Sequence, residues 1–298
     1  MRSFLFVPAD SEKKRAKGLG SGTDALIVDL EDSVALSNKQ AGREGAAALL
    51  SERQKTDTSG KTPMIIVRMN ALDTDLWQDD LAAIVPGAPD AIMVPKTISG
   101  ACIAKVCHHL LELELRHGLP EGQIKLMNVA TETAASMFNL GTYQNVSKRF
   151  FAMTWGAEDL SADLGALSNR DTQGHYTTPY LLARNLMLLG AVAAEVLPID
   201  GIYKDFRDDE GLEQEARAAL RDGFTGKLAI HPAQVPIINN VFTPTESDLS
   251  DARAVVKAFA DAGNPGVVGL NGKMLDRPHL RQAERLIARA EAARSNAS

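Results

Sequence analysis

The chain has 298 residues, 45% of them hydrophobic and 23% charged, with a formal net charge of −6. That is the composition of a globular protein, and the acidic balance without a dense Lys/Arg run excludes recognition of a nucleic acid through its phosphates. No stretch approaches the roughly 18 uninterrupted apolar residues of a membrane span, and residues 1–3 lead into an apolar run without a secretion signal. No membrane partner and a cytoplasmic location are therefore expected.

Eight short apolar runs follow in order, at residues 4–7, 25–28, 64–67, 91–94, 124–129, 150–154, 196–199 and 228–230. Several intervals between them carry apolar residues three and four apart, as helices do, so strand and helix alternate. Continuous runs suit strands buried on both faces, and eight such units predict a closed (β/α)8 TIM barrel of the α/β class. An open doubly wound sheet is the competing architecture. It is disfavoured because polar residues close nearly every run, whereas an open sheet gathers its site at one switch point. Those residues are Asp10, then Asp29, Glu31 and Asp32, then Arg68, Lys96, Glu132, Glu158 and Asp159, Asp200, and His231. Cys102 and Cys107 share one predicted helix and read as core thiols in a reducing compartment.

A barrel over residues 1–240 leaves 241–298 as a C-terminal helical segment. The break at 239–247 ends where Thr245 or Ser247 can cap a helix starting near Asp248. Leu249, Ala252, Val255, Val256 and Phe259 give that helix its apolar stripe, and a second break falls at 262–266. A short extended run at 267–270 then leads through Asn271 and Gly272 to a last helix.

Glu132 and Asp159 each lie just past a strand, one strand-helix unit apart. Adjacent strand ends bring such residues together, and two converging carboxylates can hold a hard divalent cation that keeps several waters. The alternative is that each opens a helix, and spacing alone leaves both readings standing. Glu31 and Asp32, crowded against Asp29, would repel unless a cation or donors relieve them, which suits contacts to metal-bound waters. Arg68 could grip a substrate carboxylate bidentately, and Lys96 could add a second positive charge. The glycines at 18–22 precede a strand and those at 223–226 lack phosphate-loop order, so neither is a nucleotide fingerprint. His108, His109 and His117 read as surface residues and His231 as a structural hydrogen-bonding group. No serine or cysteine sits in a nucleophile elbow.

Residues 2–8, 24–34 with Lys39 and Arg43, 67–70 (VRMN), 93–97 (MVPKT), 132–134 (ETA), 154–164, 223–234 and 271–276 together resemble the citrate lyase β-subunit-like branch of the HpcH/HpaI aldolase superfamily. The resemblance spans essentially the whole chain in the right order. It implies a barrel that binds Mg²⁺, with Mn²⁺ as a substitute, and cleaves or forms carbon–carbon bonds in acyl-CoA thioesters, releasing or taking a 2-oxo acid. Metal ligands would fall on Glu132 and Asp159, a substrate-gripping arginine on Arg68, and acids near the metal waters on Glu31 and Asp32. Lys17, Lys39 and Arg43 match basic positions facing substrate or CoA phosphates. Asp276 matches an acid that the C-terminal segment carries into a neighbouring subunit's site, which implies a homo-oligomer, a trimer or hexamer. The expected reaction is a retro-Claisen cleavage of a β-hydroxyacyl-CoA such as malyl-CoA or citramalyl-CoA. The alternatives are thioester hydrolysis in the manner of malate synthase, or a β subunit active only with a carrier partner. Residues 135–138 and 174–176 depart from the family's usual loops, which leaves the substrate open.

Overall fold

The computed structural model describes residues 1–56 and 62–295. Eight strands, β1 (Ser3–Pro8), β2 (Ala25–Asp29), β3 (Met64–Arg68), β4 (Ala91–Val94), β5 (Lys125–Val129), β6 (Phe150–Thr154), β7 (Leu197–Asp200) and β8 (Gly226–Ala229), pair in parallel in sequence order. β1 also pairs with β8, Phe4 opposite Leu228, so the sheet closes on itself. That pairing realises the expected (β/α)8 barrel and rules out the open sheet.

Side chains alternate across each strand and divide into two apolar layers. Phe4, Ile27, Ile66, Met93, Met127, Ala152, Ile199 and Leu228 pack together inside the barrel. Their sequence neighbours Leu5, Leu26, Ile65, Ile92 and Met153 belong to the larger core shared with the helices. Both layers are buried, which is why the strands read as unbroken apolar runs. The helices between strands are α1 (Glu12–Leu19), α2 (Lys39–Thr56), α3 (Trp77–Ile84), α4 (Gly100–His117), α5 (Ala157–Asp163) with α6 (Thr178–Ala193), and α7 (Asp209–Asp222), with α8 (Gln234–Phe242) closing the last unit.

The eighth strand begins two residues before its apolar run, because Lys227 sits inside it. Lys227 is fully buried on the helix-facing side, where Asp200 accepts from its ammonium at 2.9 Å and Glu215 at 2.8 Å. Asp200 therefore faces the helix layer, where Arg184 of α6 also donates to it at 3.0 Å, and it does not project from the barrel mouth. Past α8, Thr245 caps α9 (Glu246–Asp261) in a reciprocal box with Asp248. The extended run expected at 267–270 is half of a hairpin, β9 (Val267–Leu270) with β10 (Lys273–Asp276), turned by Asn271 and Gly272 at φ of 51° and 75°. The alternation in β10 was hidden by its polar, exposed composition. α10 (Arg277–Ser295) then packs back on α9 through Leu280, Phe259 and Val268.

One ion pair fastens α4 to the base of β6. Glu114, wholly buried, takes both terminal nitrogens of Arg149 at 2.6 and 2.5 Å and accepts the backbone N–H groups of Gly122 and Ile124 at 3.0 Å. Replacing Glu114→Ala leaves the arginine charge buried without its acceptor. The expected cost is about 3–5 kcal/mol of unfolding free energy, read by urea titration.

Candidate active site

The C-terminal ends of the strands surround a cavity of about 440 Å³. Asp29 and Arg68 are the last residues of neighbouring strands and stand opposite each other in register. The guanidinium meets the carboxylate as a fork, Nε to Oδ1 at 2.6 Å and Nη2 to Oδ2 at 2.7 Å. Asp29 also accepts the backbone N–H groups of Glu31 and Ser33, so it shapes the loop after β2 as well as holding Arg68. Burial would raise the Asp29 pKa, but the hydrogen bonds and charge of Arg68 outweigh it and hold the carboxyl below its ordinary value. The face of Phe6 supports the guanidinium, with Cζ 4.9 Å from the ring centre.

The third guanidinium nitrogen, Nη1, lies 3.0 Å from Glu31 Oε2. The two are not aligned for a hydrogen bond, and this buried oxygen has no hydrogen-bond partner. Burial pushes the Glu31 carboxyl up despite Arg68 and Lys96 beside it. Lys96 is the second hub. Its ammonium lies 2.5 Å from Glu31 Oε1 and 3.3 Å from both Asp32 Oδ2 and Asp159 Oδ1. Its own backbone N–H donates to Glu132 Oε2. Lys96 stands in a left-handed backbone, φ 48°, unusual for a lysine and costing about 1–3 kcal/mol. Next to it, Thr97 donates to the Val129 carbonyl at 2.9 Å and accepts from Asn128 and Tyr143, each at 2.8 Å. That knot ties the loop after β4 to the one after β5.

Glu132 is buried, and burial, then the neighbouring charges of Asp159 and Glu31, raise its carboxyl well above the ordinary range. Asp159 stands one-third exposed in the first turn of α5. Gly156, which opens that helix, has no room for a side chain, since a Cβ would come within 2.9 Å of Glu132 Cγ. Among the described residues no three His, Cys, Asp or Glu side chains group to hold a metal unaided. Two hard oxygen donors, a nearby acceptor without a partner and open space fit instead a cation that takes its remaining ligands from water and substrate, as Mg²⁺ does.

The other expected site residues are placed differently. Lys39 starts α2 and donates to the carbonyls of Leu30 and Glu31 at 2.6 and 2.7 Å, bracing the loop that carries the acids. Arg43 is nearly buried and donates to Asp80 at 2.8 Å, which in turn holds the Asn70 backbone and side chain beyond Arg68. Lys17 stands exposed in the last turn of α1, the end remote from the loop that leaves β1, and does not line the cavity. Asp276 ends β10, exposed and 2.6 Å from His279, outside its own chain's cavity. His231 stacks on Phe206, its Nδ1 accepting from Ala233. Sequence reasoning marked the loop at 174–176 but not the apolar side of the pocket that its Tyr176 builds. Trp155 and Tyr176 meet edge to face at 5.0 Å and line it with Phe6, Ile202 and Ile230. Burial pushes the Tyr176 hydroxyl up to about 12.

Residues 2–232 match the family model of the HpcH/HpaI aldolase/citrate lyase family. This chain belongs to that family. Membership makes it an enzyme of the lyase and aldolase type, as the resemblance implied. The citrate lyase subunit beta of Leuconostoc mesenteroides subsp. cremoris is 31% identical over 98% of this chain and 93% of that protein. A (3S)-malyl-CoA thioesterase of Cereibacter sphaeroides is 33% identical over 98% of this chain and 95% of its own. The CitE protein of Mycobacterium tuberculosis, solved with magnesium, acetoacetate and coenzyme A, superposes with a TM-score of 0.75 at 32% identity, covering 97% of this chain and 98% of that one. Among the described residues no helix is long and apolar enough to cross a membrane.

Folding lowers the Asp29 pKa, so its contribution to stability is fully present above the ordinary value near 3.9 and is lost as pH falls through the lower folded value. Urea titrations across pH should show Asp29→Asn weaker than the parent by about 1–3 kcal/mol at neutral pH, with Glu31 still facing Arg68, and a shallower loss of stability below about pH 4.

Proposed function

We propose that the protein is a Mg²⁺-dependent carbon–carbon lyase that cleaves, or forms, a β-hydroxyacyl-CoA such as malyl-CoA or citramalyl-CoA, giving an acyl-CoA and a 2-oxo acid. The observation that carries this reading is the pair Glu132 and Asp159 at the mouth, backed by Glu31 and Asp32 and faced by Arg68 across one cavity. Glu132 and Asp159 would hold the cation, for which Mn²⁺ could substitute, and Glu31 and Asp32 are the acids that would accept from its waters. When bound, Mg²⁺ supplies Lewis-acid polarisation of the oxygens of the 2-oxo-acid portion. Arg68 directs Nη1 toward the substrate carboxylate while Asp29 fixes its plane. The β-hydroxyl gives up its proton as its carbon becomes the 2-oxo carbon, and the scissile bond's electron pair passes into the thioester. One proton is delivered to the acyl carbon, so the proton count is unchanged overall. Asp276 of a second copy is the acid for that step.

Three features support a donor from a second copy: Asp276 lies on an exposed hairpin, it is outside its own cavity, and Met274 beside it is four-fifths exposed. We therefore take residues 241–298 as a segment that completes a neighbour's site and the protein as a homo-oligomer, a trimer or hexamer, in the cytoplasm. Lys96, spanning Glu31, Asp32 and Asp159, orders the acids rather than gripping the substrate anion. Lys39, engaged by loop carbonyls, and Lys17, remote from the cavity, are not assigned to the CoA phosphates. Hydrolysis of the thioester is the second reading, supported by the malyl-CoA thioesterase relatives.

Mass spectrometry of purified protein with Mg²⁺ and malyl-, methylmalyl-, citramalyl- or citryl-CoA tests the reaction. A shorter acyl-CoA with a 2-oxo acid, abolished by EDTA, is expected. Free CoA with the hydroxy acid would establish the hydrolase, and no turnover would favour the carrier-dependent subunit. Asp159→Ala should lose at least about a thousandfold in kcat/KM while keeping its melting temperature; near-normal turnover would remove Asp159 as a ligand. Mixing the inactive variants Glu132→Gln and Asp276→Asn should restore up to about a quarter of parental activity, because sites that combine one intact half from each chain form at random. No recovery on mixing would place Asp276 outside the neighbour's site.

A further inference from the structure

The apolar side of the cavity is held by a closed circuit of contacts running behind it through the helix layer. Trp155 Nε1 donates to Asp200 Oδ1 at 2.8 Å, and Asp200 Oδ2 accepts from Lys227 at 2.9 Å. Lys227 also donates to Glu215 Oε1 at 2.8 Å, and Glu215 Oε2 accepts from Arg170 Nη2 at 2.8 Å. The Arg170 guanidinium covers the Tyr176 ring with Cζ 3.7 Å from its centre, and Tyr176 returns to Trp155 edge to face at 5.0 Å. Arg170 and Tyr176 also bridge backbone to backbone across the loop between α5 and α6. Lys227 is wholly enclosed and Asp200 nearly so, so these charges hold one arrangement or lose each other's compensation. Two aromatic rings are thereby fixed at one side of the pocket.

Opposite them the charges are committed. Arg68 is the one cation among the described residues lining the cavity, and its Nε and Nη2 are taken by Asp29. Asp32, Glu132, Glu158 and Asp159 also line it, and Glu158 is already paired with Lys204. A ligand carboxylate beyond the one that meets Arg68 and the metal would find no further cation among the described residues that line the cavity, and its charge would lie unmatched beside carboxylates and aromatic rings.

Resting on the lyase reading of this cavity, we infer that Trp155 and Tyr176 determine specificity. They favour a 2-oxo-acid portion that ends in a small apolar group over one that ends in a second carboxylate, and Asp200, Lys227, Glu215 and Arg170 are positioning residues for that wall. The family includes proteins named for both kinds of substrate, and this wall selects the malyl or citramalyl kind over the citryl kind.

The test compares 2-oxobutanoate with freshly dissolved oxaloacetate, which match in chain length and differ by a methyl in place of a carboxylate. Dissociation constants are measured calorimetrically with Mg²⁺ for the parent, Tyr176→Ala and Glu215→Gln. The parent should bind 2-oxobutanoate about tenfold or more tightly than oxaloacetate. Tyr176→Ala should bring the two within about threefold, and Glu215→Gln, which frees Arg170 without changing size, should shift the ratio in the same direction. A general loss of stability would weaken both ligands together and leave the ratio alone. Equal or tighter binding of oxaloacetate by the parent, or a ratio unmoved in both variants, overturns the inference. Binding of neither oxo acid in Mg²⁺ overturns the lyase reading as well.

Discussion

Carboxylates crowded at one end of a barrel repel one another, and the mouth of this barrel is organised around relieving that repulsion. Asp29, Glu31, Asp32, Glu132 and Asp159 converge there, with the cations Arg68 and Lys96 set among them. Arg68 takes the innermost acid in a two-point grip and so becomes a fixed object. Lys96 spans the other acids with its ammonium and holds Glu132 with its backbone. The remaining excess of negative charge is what a divalent cation would neutralise. Burial of Glu132 and Glu31 raises the cost of leaving those charges uncompensated, which strengthens the demand for a cation at this place.

The outer shell follows from that arrangement. Lys39 clamps the carbonyls beneath Glu31, Asp80 joins Arg43 to the backbone beyond Arg68, and Thr97 knots the loops that bear Lys96 and Glu132. Basic residues that align with a substrate-binding pattern can thus serve the scaffold. Their nitrogen atoms are engaged by loop carbonyls and buried acids, and they act on the site through the loops they brace.

Much of the architecture was legible because buried parallel strands write themselves as apolar runs. The end of each run also marked one end of the barrel, so the gathering of Arg68, Lys96, Glu132 and Asp159 there follows from the sequence order. The failures have physical causes. β8 concealed its start because a charged lysine is buried in it and matched by Asp200 and Glu215, a compensation between residues far apart in sequence. Asp200 looked like a mouth residue, but the alternation of side chains along β7 turns it to the helices. β10 was lost because an exposed hairpin strand has no apolar run to show. The loop at 174–176 was marked as bearing on the substrate, but the pairing of Tyr176 with Trp155 was not legible, since an aromatic residue in a loop reveals its role only when its ring neighbours are known. The partnership of Asp29 with Arg68 depends on strand register, which a single sequence does not specify.

The backbone of Lys96 narrows the residue types that this position can hold. Glycine or asparagine would accept its left-handed conformation but would remove the charge, whereas arginine would keep a charge but spread it over a planar group in place of the compact ammonium that lies among three carboxylates. Each neighbouring residue type satisfies one of the two demands and fails the other. A single substitution here therefore trades the demand of the backbone against the demand of the surrounding charge.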